Sequence, residues 1–184
     1  MSRPLRADAA RNRAKVLAAA EAVFGELGAG ASTEEIARRA EVGVGTVFRH
    51  FPTKESLLSE VLAERLRRLA GQAEALADAP DPGPAFLGFF ARSVELSASK
   101  NALLEALVGS GVEVDVPGSG VGVQLRQALG VLLARAQAVG AIRADLDVDD
   151  VIALLAGASH AFAHAGRPEA GQRALAVVLD GMTA

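Results

Sequence analysis

The segment VGVGTVFRHFPTKESLL (42–58) gathers side chains that suit a polyanion. Thr46 offers a hydroxyl and a methyl, fitted to a phosphate or to a thymine. The guanidinium of Arg49 can fork onto the edge of guanine or hold a phosphate. His50 and Lys54 fall near a helix end, where phosphate contacts are expected. Gly45 lacks a side chain, so the backbone there can come close to a partner. Each residue has an ordinary alternative: Phe48 as core, Arg49 and Lys54 as solvated charges, His50 as a cap. At this joint spacing the pattern reads as a helix entering a groove of double-stranded DNA. No Ser-His-Asp set with supporting spacing and no Gly-rich phosphate loop is present, so an enzyme is not expected.

Such a helix needs a scaffold. A first helix is expected over about 8–27, with Val16, Leu17, Ala20, Phe24 and Leu27 on one face, stopped by Gly28 and Gly30. Thr33 is expected to open and cap a short second helix ending near Arg39 or Ala40. Glu41-Val42-Gly43 makes the turn, and a third helix runs over about 44–50. Phe51-Pro52 ends it, because the residue before proline avoids helical angles. Two short helices joined by a tight turn and braced by a longer one form a helix-turn-helix. Ile36, Ala37, Ala40, Val47 and Phe51 would fill its small core with Phe24 and Leu27. Val44, Gly45, Thr46, Phe48, Arg49 and His50 are left outward or at the rim. Thr53 caps a long fourth helix reaching toward Asp78.

The remainder is also helical. The stretch 77–84 reads as a linker, followed by helices near 84–99 and 101–109 and a Gly-rich loop over 109–122. Further helices are expected near 121–139, ended by Gly140, near 148–165 behind the acids Asp147, Asp149 and Asp150, and from Pro168 to about 181. The one strand-like run, 112–116, is short. The fold class is therefore all-α with about nine helices: a three-helix head over 1–55, its motif at about 32–51, and a regulatory and dimerisation body over 56–184.

Bulk properties agree. Of 184 residues, 51% are apolar and none is Cys, which excludes both disorder and a disulfide scaffold. The net charge of −3 is uneven. Residues 1–70 hold 12 Lys and Arg against 9 Asp and Glu; residues 71–184 hold 7 against 13. A basic end on an acidic body suits contact with a polyanion at that end. The basic start lacks an apolar run behind it, so it is not read as a signal peptide. No apolar run reaches the ~20 residues of a membrane span. A cytoplasmic protein is expected.

The run RxxxLAAAEAVFGELG…STEEIARRAEVGVGTVFRHFPTKESLL resembles the N-terminal domain of the TetR family of transcriptional regulators over about 9–68. Phe24, Gly28, Thr33, Ile36, Ala37, Gly45, Thr46, Phe48, His50, Phe51, Lys54 and Leu57 agree at fixed spacing. The resemblance implies an all-helical homodimer that binds a palindromic operator through its head. It also implies C-terminal helices that bind a small molecule and so release the DNA. It makes Thr33, Gly45, Thr46, Phe48, Arg49, His50 and Lys54 the DNA-facing set. The chain departs from the family pattern at Glu41 (commonly Gly), Gly43 (usually Ser) and Phe48 (usually Tyr). A left-handed angle at Glu41 would cost on the order of 1 kcal/mol. The other two departures each remove a hydroxyl. Alternatives are a ligand-binding protein or a protein-binding adaptor with a degenerate DNA head.

In the body, Phe86, Phe89 and Phe90 could wall an effector pocket with Leu104, Leu107, Leu125, Leu129, Leu133 and Phe162; ordinary core is the competing reading. With no Trp and no Tyr in the chain, such a pocket would be aliphatic and suit an apolar or acyl-like effector. No cofactor is expected. His160 and His164 share a helix face at a spacing that could supply half a zinc site, but a dimer-contact or rim position is expected and no metal. The last two helices, about 148–165 and 168–181, carry Ala153, Leu154, Ala156, Gly157, Ala158 and Ala161. They are expected to pair with a second copy as a four-helix bundle. A twofold dimer would set its two recognition helices about one DNA turn, ~34 Å, apart.

Overall fold

The computed structural model describes residues 3–98 and 119–184. The described residues form eight α-helices and no strand: α1 (Arg3–Leu27), α2 (Thr33–Arg39), α3 (Val44–His50), α4 (Lys54–Ala75), α5 (Pro82–Ala98), α6 (Gly120–Ala138), α7 (Val148–Ala163) and α8 (Pro168–Met182). The expected helix at 101–109, most of the 109–122 loop and the 112–116 run lie outside the described residues. Contacts divide the chain into two units, with the boundary between Glu64 and Arg65, inside α4.

The first unit packs α1, α2 and α3 on one another. Val16, Val23, Phe24, Ile36, Val47, Phe51, Leu57, Leu58 and Val61 are buried. Most of them stand at helical spacing, which puts one apolar stripe of each helix inward. Leu27 departs from expectation: it is 54% exposed. The chain leaves α1 there through Gly28 at φ 65, so the last residue of the stripe has no neighbour to cover it.

In the second unit α5 touches α6, α7 and α8. Its face of Phe86, Phe89, Phe90 and Val94 is buried against Leu125, Leu129, Leu132 and Leu133 of α6, Val151 and Leu155 of α7, and Met182 of α8. The ends are defined locally. Gly140 at φ 69 follows the end of α6. At the start of α7 the Asp147 carboxylate accepts from the amides of Asp149 and Asp150, while the Asp150 carboxylate accepts from the Asp147 amide. Pro168 opens α8. An antiparallel bridge between Ile142 and Thr183 ties down the C-terminus, with the Arg143 amide donating to the Met182 carbonyl at 3.0 Å.

Candidate nucleic-acid interface

The turn between α2 and α3 is closed by backbone bonds: Val42 N–H to the Ala37 carbonyl at 3.0 Å, and Glu41 N–H to the Arg38 carbonyl at 3.2 Å. Glu41 sits at φ 56, the one non-glycine residue with positive φ among those described. The left-handed angle anticipated for this departure is therefore real, with its cost of about 1 kcal/mol. The Glu41 carboxylate lies 3.5 Å from Lys15 Nζ of α1, both groups largely exposed. Gly43 is the N-cap of α3 and provides no side-chain bond to the first turn, as its replacement of Ser implies.

Along α3 the burial alternates as a groove-facing helix requires. Val47 is buried; Phe48, Arg49 and Gly45 are exposed; Val44, Thr46 and His50 are half-buried. Phe48 is 44% exposed, which excludes the reading of this ring as core. Phe51 caps α3 in an extended conformation and is itself buried, its ring 5.3 Å from the Arg13 guanidinium. Arg13 also pairs with Glu60 of α4 at 3.0 Å. Among the described residues no acid pairs with Arg49. Gly45 has a negative φ, and a Cβ built on it would meet nothing within 4 Å. The folded chain itself therefore has no need for glycine at this position.

Thr33 and Lys54, the first residues of α2 and α4, are both half-buried. Thr33 is not the cap of α2, contrary to the expectation. Ser32 is extended (φ −89, ψ 152) and its hydroxyl accepts from the Glu35 amide at 3.2 Å, while Thr33 is already the first helical residue. A cap must leave the helical region, and Ser32 with Glu35 three residues on has capping-box spacing. The cap of α4 is Thr53, as expected: its hydroxyl accepts from the Ser56 amide at 3.1 Å, and the Ser56 hydroxyl accepts from the Thr53 amide at 3.2 Å. Lys54 Nζ also lies 6.0 Å from the centroid of the Phe24 ring.

A clamp between α1 and α2 adds to the features expected from the sequence. Glu35 receives Arg38 at 2.7 and 2.9 Å and Arg39 at 2.8 Å, and Arg39 reaches back to Glu26 of α1 at 2.7 Å. Hydrogen bonds from Arg38, then from Arg39, hold the Glu35 carboxyl down at about 2. The Arg39 bond likewise lowers Glu26. The i,i+4 spacing of Glu35 and Arg39 was the available signal; the long-range partner Glu26 had none. Arg38 and Arg39 are thus neutralised, which leaves Arg49 as the exposed guanidinium of the motif without an acid beside it.

In the body, Phe86, Phe89, Phe90, Leu125, Leu129 and Leu133 come together in one buried cluster, with Phe162 packed against its edge. Leu104 and Leu107 lie outside the described residues. Ser93, on α5, is 2% exposed and its Oγ has no hydrogen-bond partner, whereas the buried Ser159 hydroxyl donates to the Leu155 carbonyl at 2.7 Å. The His160 and His164 rings stack 4.2 Å apart on the exposed side of α7, with His164 Nδ1–H donating to the His160 carbonyl at 3.0 Å. Among the described residues no three His, Asp or Glu side chains converge on a metal-sized space. None of the helices described is long and apolar enough to cross a membrane.

A braced three-helix head with an outward basic helix, joined to a helical body, defines a helix-turn-helix DNA-binding protein. The profile of the bacterial regulatory proteins, tetR family, matches residues 16–61. That of the transcriptional regulator SbtR-like C-terminal domain matches residues 81–184. The crystal structure of a TetR transcription regulatory protein from Mycobacterium vanbaalenii is 42% identical, covers 98% of this chain and 100% of its own, and superposes with a TM-score of 0.76. A TetR transcriptional regulator from Streptomyces coelicolor is 34% identical over 93% of this chain and 98% of its own, TM-score 0.71. A third structure, described as the molecular basis for control of antibiotic production by bacterial hormones, is 25% identical over 94% of this chain and 97% of its own, TM-score 0.68. No curated protein matches. The chain belongs to the TetR family: it is a DNA-binding transcription regulator and not an enzyme.

Proposed function

We propose that this regulator is a repressor that binds a palindromic operator as a homodimer and leaves it when a small apolar effector occupies the body. The observation that carries the reading is the outer face of α3. It holds an exposed Phe48, an Arg49 with no acid beside it among the described residues, and a Gly45 that the fold does not need. Thr33, Val44, Thr46, His50 and Lys54 complete the DNA-facing set. Base contacts through Arg49 would give sequence preference, and the others would mainly fix register on phosphate. The missing hydroxyls at 43 and 48 weaken binding to every sequence alike.

Pairing through α7 and α8 is supported by their outer faces. Ala153, Ala156, Gly157 and Ala161 of α7 are exposed, as is Val177 of α8 at 71%. Ala158 is buried and faces the body, while Leu154 is half-buried between the body and the outer face. A twofold pair would place two heads on successive turns of a duplex in the cytoplasm. An effector can shift the DNA-binding state only by binding the two states with different affinity.

The test is a gel shift and footprint with the DNA upstream of the protein's own coding sequence, then Arg49→Ala. The variant is expected to lose operator protection, at roughly ten- to a hundredfold weaker binding, while remaining a folded dimer. Sequence-specific protection retained by Arg49→Ala refutes the assigned head. A monomer by sedimentation at all working concentrations refutes the pairing.

A further inference from the structure

Of the residues expected to wall an effector site, Phe86, Phe89, Phe90, Leu125, Leu129 and Leu133 pack as buried core, and Phe162 reaches the edge of that cluster. Beside it a cleft of about 450 Å³ opens between the end of α5 and the turn from α7 to α8. That volume lies within the range of small-molecule sites. The lining is Glu95, Phe162, Ala163, Ala165, Gly166, Arg167 and Pro168. It is thus an aromatic ring and small apolar groups, with one acid and one base. Gly166 takes φ 67 to make the turn, and Arg167 follows as the extended N-cap of α8. Arg167 is exposed, and no salt bridge joins it to Glu95 or to any other described acid. The wall is set from behind by Gly171. A Cβ there would stand 3.2 Å from the Phe162 carbonyl oxygen and 3.3 Å from its ring. Glycine at 171 therefore lets α8 pack directly on Phe162.

We infer that this cleft is the effector site and that it takes an apolar monocarboxylate. The apolar body would lie on the Phe162 ring, and the carboxylate would meet the Arg167 guanidinium, whose planar fork fits that group. Glu95 across the cleft repels a second anionic group and so selects against dicarboxylates. An occupant would bear on the end of α5 and on α7 together, two of the helices whose faces make the buried cluster. This assignment rests on the effector reading above but is tested without DNA.

The chain has no Trp or Tyr; calorimetric melting therefore serves as the readout. The probes are octanoate, octanol, octylammonium and the dicarboxylate suberate, each at millimolar concentration. Octanoate is expected to raise Tm of the wild type more than the other three. Arg167→Gln, at an exposed position, is expected to fold normally and to bind octanoate about tenfold more weakly or worse. Arg167→Glu is expected to reverse the preference toward octylammonium. Gly171→Ala, which pushes on Phe162, is expected to reduce the octanoate shift. Equal stabilisation by octanoate and octylammonium, no octanoate shift, or a full shift in Arg167→Gln would each overturn the cleft. A parallel gel shift without probe keeps the two readings apart. If wild type and Arg167→Gln both retard operator DNA while octanoate acts equally on both, the cleft fails and the regulator reading stands.

Discussion

The unit before Arg65 and the unit after it place their distinctive side chains on opposite sides of the surface. In the first, salt bridges span separate elements: Arg39 to Glu26, Arg13 to Glu60 and Lys15 to Glu41. They tie α1 to α2, to α4 and to the turn before the seven-residue α3, whose outer face carries an exposed ring, a guanidinium and a glycine. In the second, the three neighbouring phenylalanines of α5 are all buried. A DNA-reading head must hold polar and charged groups outward on short helices. A body that responds to a ligand can hide its large side chains and show only an edge.

Two phenylalanines offer the largest test of that contrast. Phe90→Ala removes a ring that is 1% exposed and should cost about 3–5 kcal/mol of stability by urea unfolding. Phe48→Ala removes a ring that is 44% exposed. It should cost under about 1 kcal/mol while weakening operator binding. Equal costs at the two positions would erase the distinction.

Gly45→Ala separates stability from function more sharply. Alanine meets no obstacle in the fold, so it should stabilise by about 0.5–1 kcal/mol. The same methyl group would hold α3 off the duplex and lower affinity roughly tenfold or more. Unchanged affinity in a gel shift would mean that the backbone at this residue does not approach DNA.

Glu41→Gly relieves the left-handed angle and should raise stability by up to about 1 kcal/mol. The exposed contact with Lys15 that is lost contributes little. A drop in Tm would show that this contact outweighs the backbone strain.

The smallest effect concerns pH. Because the folded Glu35 carboxyl titrates at about 2, below its ordinary range near ~4.3, its stabilisation is complete above that range. It is lost as pH falls through that window toward 2. Melting curves between pH 5 and 2 should fall less steeply in Glu35→Gln than in the wild type. Parallel curves would remove the clamp from the account of the head.

Legibility cut across that divide and followed the reach of each interaction. The α3 boundaries, the stop near Gly140 and Pro168 at the start of α8 were readable because proline, glycine and helical periodicity act locally. The outward set on α3 was readable from the apolar spacing that turns Val47 and Phe51 inward, although Phe48 by residue type alone suits core equally well. The sequence does not distinguish Ser32 from Thr33 as the cap, because two adjacent hydroxyls both satisfy the local rule until φ and ψ are fixed. At Leu27 periodicity carries the apolar stripe to the last helical residue, whereas cover depends on a neighbour.

The order of residues by itself determined an all-helical chain, the position of the motif and the side of α3 that is left outward, since each follows from interactions within a few residues. Only the folded molecule decided that Arg39 locks onto Glu26, that the α5 phenylalanines close into core, and that open space lies beside Phe162 and Arg167. Those features join residues far apart in the chain, and their distances are set by packing, which no local pattern encodes.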